Sequence, residues 1–266
     1  MAGVLGIDAA WTEKEPSGVA LIEGSQGRWH CVAVTPSYDS FLALAERTPV
    51  DWTTKTRGAL PDVGRLVAVA ETLLGGRRLT VVTVDMPLST EPITERREAD
   101  AAISRAYGGR GAAVHSPSSE RPGVISDQLT RDFAASGFPL ATGDTSIGTP
   151  HRLVEVYPHP ALMTLSGASY RLPYKVSRSR RYWPDSTPVE RRANLINQFR
   201  SILSSLKNEV DGIHLKPPSA TGAISTSGLK RYEDSLDALV CAWVGAKYLE
   251  GDAVAYGDHT AAIWVP

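Results

Sequence analysis

The first 35 residues hold three apolar runs with very short connections, and this pattern constrains the fold most. The runs cover residues 4–7, 18–22 and 29–34, and polar turn residues separate them. Connections this short join antiparallel neighbours, whereas a parallel pair needs a crossover of about a dozen residues or more. The chain is therefore predicted to open with a three-stranded antiparallel meander.

Downstream of the meander the pattern changes to alternating helices and strands. Apolar residues at spacings of three and four predict a helix over residues 62–74, and a nearly continuous β-branched run follows at 79–84. Such a run is typical of a strand buried on both faces of a sheet, and residues 153–157 form another. The sequence therefore predicts an α/β fold.

Capping signals place two long helices near the end of the chain. Thr187 and Glu190 form a capping box ahead of an apolar stripe, and Pro188 occupies the first helical position. The last helix is predicted over about 229–249, where apolar residues again recur at helical spacing.

The middle of the chain is richer in loops. A charged helix is predicted over 92–107, and the segment 108–123 is rich in Gly, Ser and Pro. Ser126 is predicted to cap a short helix after this loop.

Composition limits the class of protein. Of the 266 residues, 42% are hydrophobic and 21% are charged, which is typical of a globular domain, and no long linker divides the chain. No stretch approaches the ~20 apolar residues of a membrane span, and Asp8 interrupts the chain before a signal-peptide core forms. We expect a single domain over 1–266 that is cytoplasmic and makes no membrane contact. The formal net charge of -1 means that nucleic-acid binding would require a local basic patch.

Two aspartates follow the two best-defined strands. Asp8 ends the first strand and Asp85 follows the strand at 79–84. If these strands are parallel neighbours, both carboxylates leave the same edge of the sheet about 5 Å apart, where ligands bind in α/β proteins. Like charges that close favour a bound cation, although an aspartate after a strand also commonly caps a turn.

Further acids occur at positions that predict burial. Asp234 and Asp237 share one face of the last helix, beside its apolar stripe, and the alternative is a solvated acidic first turn. Glu155 lies midway through a buried strand, so it is expected either to pair with an arginine or to coordinate a metal or water.

Four short motifs in chain order carry a resemblance to a known family. They are Gly-Ile-Asp at 6–8, Val-Asp-Met-Pro-Leu at 84–88, Glu-Val-Tyr-Pro at 155–158 and Asp-Ser-Leu-Asp-Ala at 234–238. Together they resemble domain of unknown function family 429, which is described as predicted RNase H-like nucleases. The resemblance extends over almost the whole chain.

The resemblance implies an RNase H-like fold. Its mixed five-stranded sheet combines an antiparallel meander of three strands with two parallel strands, and helices cover both faces. A helical and loop insertion would occupy about residues 90–150 of the single domain.

The resemblance also implies a set of site residues. Acids on the first strand, the fourth strand and the last helix bind divalent metal in that superfamily. Asp8 and Asp85 would therefore bind or bridge two ions, and Asp237, helped by Asp234, would complete the site. The family often has an acid after the proline, where this chain has His159, which we interpret as a surface or capping histidine.

These residues predict a metal-dependent nuclease with a two-metal carboxylate mechanism. Oxygen ligands without Cys or His at ligand spacing favour Mg²⁺ or Mn²⁺, and two such ions activate water and stabilise the leaving oxygen of a phosphodiester. The catalytic candidates are Asp8, Asp85, Asp234, Asp237 and Glu155, and the first four are the metal candidates.

The predicted substrate surface lies between residues 171 and 200. This stretch has eight Arg or Lys residues against two acids, with tyrosine and tryptophan interleaved. Such a patch supplies phosphate contacts and base stacking for single-stranded or structure-specific nucleic acid, although a solvated surface is the alternative. The substrate-binding candidates are Lys175, Arg178, Arg180 and Arg181.

Other functions fit the sequence less well. The strongest alternative is a non-catalytic module that binds nucleic acid or protein and retains a vestigial metal site. If the folded chain brings Asp8, Asp85 and Asp237 close together, the enzyme is favoured. If these residues lie too far apart to bridge a metal, the binding module is favoured. A kinase-type phosphate loop and a Gly-x-Ser-x-Gly hydrolase motif are both missing from the sequence.

Overall fold

One mixed sheet of eight strands organises the computed structural model, which describes residues 1–219 and 224–266. The strands are β1 (Ala2–Asp8), β2 (Gly18–Ser25), β3 (Arg28–Thr35), β4 (Val81–Val84), β5 (Arg152–Val156), β6 (Val210–Asp211), β7 (Val254–Gly257) and β8 (Ala262–Val265). Their order across the sheet is β6-β3-β2-β1-β4-β5-β8-β7. β1, β2 and β3 form the antiparallel meander, and β4, β5 and β8 continue from β1 in parallel. The α/β class and the antiparallel opening are therefore confirmed.

The expected number of five strands is wrong, because the described residues form a sheet of eight. β6 pairs with β3 through only two residues, which is too short to leave a periodic signal in the sequence. β7 is an edge strand of four residues on β8, and it is too short and too exposed to show the apolar–polar alternation of a half-buried strand. These additions extend both edges of the expected sheet.

The described residues also form eight α-helices, and none of them is long and apolar enough to cross a membrane. They are α1 (Tyr38–Leu42), α2 (Val63–Leu73), α3 (Glu98–Tyr107), α4 (Val124–Ala135), α5 (Pro158–Ser166), α6 (Ser179–Tyr182), α7 (Pro188–Glu209) and α8 (Thr226–Glu250). Short 3₁₀ turns occur at Ala43–Glu46, Gly108–Arg110 and Val176–Arg178.

Helix boundaries follow the capping signals in part. The capping box at Thr187 is confirmed. The helix expected over 92–107 begins only at Glu98. Ser126 does not cap a helix, because it lies inside α4 and its hydroxyl donates a hydrogen bond to the Pro87 carbonyl. That serine instead attaches α4 to the segment that follows β4.

Apolar side chains of the sheet alternate between two layers of helices. Val4 of β1 packs in the layer that contains α5, α7 and α8, whereas Leu5 and Ile7 face the layer of α1, α2 and α4. This alternation is the period-two pattern of a strand that is covered on both faces.

Glycine brings α8 into direct contact with the meander. A Cβ at Gly6 would lie 2.3 Å from the Ala238 carbonyl oxygen, and one at Gly18 would lie 2.2 Å from the Asp234 carbonyl oxygen. Only a residue without a side chain permits this approach of helix to strand. α8 therefore places its acids directly beside the end of β1.

Candidate active site

Asp8 and Asp85 lie next to each other at the carboxyl ends of β1 and β4. Ile7 is opposite Val84 in the parallel register, and the Asp85 amide donates to the Ile7 carbonyl at 2.9 Å. The adjacent parallel strands that the sequence argument required are therefore present. Both aspartates line a cleft of about 550 Å³ at this edge of the sheet.

Asp8 and Asp85 have no cationic partner of their own in the part of the chain that the structure describes. Within the described residues, neither side chain makes a hydrogen bond or an ion pair. Burial raises the pKa of Asp85 well above its usual value, and the nearby charge of Asp8 raises it further, whereas Lys175 opposes the rise. A carboxylate in this environment gains from any cation that neutralises it.

The acids of α8 are neutralised by lysines. Glu233, Asp234 and Asp237 are at most 2% exposed and lie well inside the helix, so they do not form a solvated first turn. Lys230 donates to Glu233 at 3.0 Å and also to Asp234. Lys175 donates to Asp237 at 2.5 Å and lies 3.5 Å from Glu233. These five residues form a lysine–carboxylate network beside Asp8.

Asp237 uses both carboxylate oxygens inside this network. Its Oδ1 accepts a hydrogen bond from the Tyr174 hydroxyl at 2.7 Å, and its Oδ2 accepts one from Lys175. Asp234 lines the cleft, but Asp237 is not among the residues that do. The four predicted metal ligands therefore occupy one edge of the sheet. Three of them line the cleft, and Asp237 is buried behind it.

Glu233 and Lys230 are two members of the network that the sequence argument missed. Glu233 lines the cleft, and its Oε2 accepts a hydrogen bond from the Val176 amide at 2.5 Å. The signal was available, because Glu233 and Asp237 are four residues apart on the helix and Lys230 precedes Glu233 by three.

The suitability of this site for a divalent cation differs between its two parts. Among the described residues, no group of three or more His, Cys, Asp or Glu side chains is arranged to hold a metal ion. Asp8 and Asp85 fit a hard cation, because their oxygens face the cleft without a protein cation bound to them. Asp234 and Asp237 do not fit one in this arrangement, because Lys230 and Lys175 hold their oxygens.

Glu155 pairs with an arginine, which was one of the two alternatives that the sequence left open for this residue. Arg97 donates to both of its carboxylate oxygens, at 2.6 and 2.7 Å, and also to Asp100. The Leu88 amide donates to Glu155 at 2.8 Å. This buried cluster therefore fixes the chain just after Asp85.

His159 is not a surface or capping residue, and that prediction is wrong. It lies in the first turn of α5, is 4% exposed and lines the cleft. Its ring packs edge-on between Tyr157 and Tyr174, with centroids 5.3 and 5.4 Å away. Burial lowers the pKa of His159 well below its usual value, and Lys175 and two arginines lower it further, so the ring is neutral.

The predicted substrate-binding cations separate into two groups. Lys175 and Arg178 line the cleft, whereas Arg180 and Arg181 are exposed on α6 and do not line it. Tyr174, which was expected to stack on a base, is fully buried. The reason is its hydrogen bond to Asp237, which a local reading of the sequence does not reveal.

The loop over residues 108–123 forms part of the cleft. His115, Ser116 and Arg121 line it, and the Arg121 guanidinium lies 5.5 Å from the centre of the Trp11 ring on the opposite rim. Trp11 was also missed, since a lone aromatic residue in a turn carries no sequence signal for a site.

Comparison with known proteins gives a family and no function. A family model described as "Protein of unknown function (DUF429)" matches residues 6–261. No curated protein and no solved structure matches the chain.

Proposed function

The chain belongs to the DUF429 family of proteins of unknown function, and we propose that it is a metal-dependent nuclease that hydrolyses phosphodiester bonds. The observation that carries the proposal is the Asp8–Asp85 pair, which lies at the carboxyl ends of two parallel strands and has no cationic partner among the described residues. That edge is where α/β sheets bind ligands.

The topology around the pair supports an RNase H-like relationship. The five central strands, β3-β2-β1-β4-β5, combine an antiparallel meander with two parallel strands, as the sequence resemblance implies. β6, β7 and β8 then extend this core at its edges.

The proposed cofactor is Mg²⁺ or Mn²⁺. Asp8 and Asp85 would hold the first ion, and Asp234 and Asp237 would contribute to a two-ion site in exchange for Lys230 and Lys175. When bound, such ions activate a water and offset the charge on the leaving oxygen.

The side chains of this protein would bind and orient the nucleic acid. Lys175 and Arg178 are placed in the cleft to neutralise phosphate oxygens, and Arg180 and Arg181 are exposed to contact the strand outside it. Glu155 would act as a positioning residue, since it fixes the Leu88 amide close behind Asp85.

Cleavage of labelled oligonucleotides tests the proposal. We expect the purified protein to cleave single-stranded or branched substrates with Mg²⁺ or Mn²⁺, and Asp8→Asn and Asp85→Asn to lower the rate at least about 100-fold. Asp252→Asn is the matched control, because Asp252 is exposed and outside the cleft. An equal rate in Asp85→Asn and wild type would exclude the mechanism.

The lysine–carboxylate network favours one second candidate. With Lys175 and Lys230 in place of metal at α8, the protein would be a binding module with a vestigial metal site. Oligonucleotide binding that is indifferent to Mn²⁺, with no cleavage of any tested substrate, would support this module over the enzyme.

A further inference from the structure

Two arginines that line the cleft, Arg171 and Arg178, have no acidic partner among the described residues. Both are half-buried in the segment before α6, and with His115 of the 108–123 loop they make up the basic wall of the cleft. Arg178 Nη2 lies 3.3 Å from His115 Nε2. Within the described residues, neither arginine pairs with a carboxylate, and Arg171 Nε is enclosed without a hydrogen-bond partner.

His159 shows independently that positive charge converges here. Its Nδ1 is buried and has no hydrogen-bond partner in the described part of the chain. Lys175, Arg171 and Arg178 all act to lower the pKa of this ring, in addition to its burial. His159, Lys175, Arg171 and Arg178 therefore line the same cleft, where the three cations act on one neutral imidazole.

Like charges held together in a half-buried wall are unfavourable unless an anion lies between them. Guanidinium groups match phosphate oxygens with paired, charge-assisted hydrogen bonds, and His115 and Ser177 line the same wall with further polar atoms. A phosphate monoester is the anion that gains most from such donors, because it has three terminal oxygens and up to two negative charges.

The volume of the cleft limits the size of the molecule to which this phosphate is attached. About 550 Å³ lies in the range of roughly 300–1,000 Å³ that is typical of small-ligand pockets. One or two nucleotide units suit that volume.

We propose that Arg171, Arg178 and His115 form a phosphate subsite that holds the terminal phosphate of a short nucleotide substrate. The phosphate sits on the basic wall, and the rest of the substrate extends toward Asp8 and Asp85. The subsite deepens the proposed nuclease function and relies on it for the fate of the bound substrate, but phosphate binding itself requires no metal.

Calorimetric titration in EDTA tests the subsite. The probes are a dinucleotide with a 5′-phosphate, the same dinucleotide without it, and a nucleoside 5′-monophosphate. We expect the phosphate to improve the affinity of the dinucleotide about tenfold or more. Tighter binding of the phosphorylated dinucleotide than of the monophosphate assigns the end of a nucleic-acid chain, and the reverse order assigns a free nucleotide.

Three variants decide which residues are responsible. Arg178→Gln and His115→Ala should each remove most of the phosphate preference, and Arg65→Gln, an exposed arginine on α2 outside the cleft, should preserve it. His115 is exposed, so its replacement tests the subsite even if Arg178→Gln fails to fold. Equal affinity for the two dinucleotides in wild type, or a full preference in both cleft variants, would overturn the subsite. A retained preference in a protein that cleaves nothing would instead reject the nuclease and leave the subsite intact.

Discussion

The protein contains two acidic clusters, one buried and one half-buried at the cleft, that differ in how their charges are satisfied. In the first, Arg97 donates hydrogen bonds to both oxygens of Glu155 and both oxygens of Asp100. In the second, Asp8 and Asp85 face the cleft, and no described residue donates a hydrogen bond to either carboxylate. Burial raises the pKa of Glu155 to about 7 against the opposing effect of Arg97, whereas Asp85 is raised well above its usual value and Asp8 adds to the rise.

Burial of an acid therefore does not identify a functional site by itself. A carboxylate whose oxygens all have donors stabilises a particular arrangement of the chain, while an unpaired one weakens the fold and is available to a ligand. Two substitutions test whether the two clusters differ in this way, and a third tests the cations that face the second cluster.

The largest expected change in stability comes from breaking the first cluster, in which Arg97 donates hydrogen bonds to Glu155 and Asp100. Glu155→Gln leaves Arg97 with an incomplete set of acceptors, and loss of one partner of a buried ion pair costs about 3–5 kcal/mol of unfolding free energy. Urea denaturation measures this loss, with Glu95→Gln as an exposed control of the same chemistry. A loss no greater than that of the control would show that the Arg97 cluster does not hold the fold.

Removing a charge from the Asp8–Asp85 pair should raise the free energy of unfolding, whereas removing one from the Arg97 cluster should lower it. Burial and the charge of Asp8 raise the pKa of Asp85, and no described residue donates a hydrogen bond to its carboxylate as Arg97 does to Glu155, so ionisation at pH 7 destabilises the native state and Asp85→Asn removes this cost. We expect a gain of about 1–2 kcal/mol in the same urea assay, together with loss of cleavage. A destabilised Asp85→Asn would mean that the carboxylate has a structural partner and would erase the contrast.

The smallest effect concerns the cationic side of the cleft. The folded protein lowers the pKa of His159, so the unfolded chain binds a proton that the folded chain rejects as the pH falls below about 6.5. The contribution of His159 to the free energy of unfolding is therefore fully present above pH 6.5. It falls by about 1 kcal/mol between pH 6.5 and 5.5.

The measurement compares wild type with His159→Gln across that range. Other titrating groups contribute equally to both proteins, so their effect cancels in the difference. The difference in unfolding free energy should therefore change by about 1 kcal/mol between pH 6.5 and 5.5. A difference that stays constant with pH would show that the folded protein does not shift the pKa of His159 and that other groups neutralise the cations near the ring.

Much of the fold could be predicted because it depends on local patterns. Short connections required the meander, and β-branched runs located β4 and β5. β6 and β7 were missed, since a two-residue pairing and an exposed edge strand carry no periodic apolar signal. His159 was misplaced for a related reason: one of the two rings that enclose it belongs to Tyr174, fifteen residues away, and a local pattern does not reveal that contact.

The sequence alone determined the family, the α/β class and the ends of β1 and β4 where Asp8 and Asp85 lie, because strand pattern and motif order are properties of short segments. Only the tertiary structure decided how the charges pair. Lys175 reaches Asp237 across 62 positions of the chain, and Arg178 reaches His115 across 63. Coulombic energy depends on distance in space, so the protein neutralises the acids of α8 with its own lysines and leaves Asp8, Asp85 and the arginine wall open to a ligand.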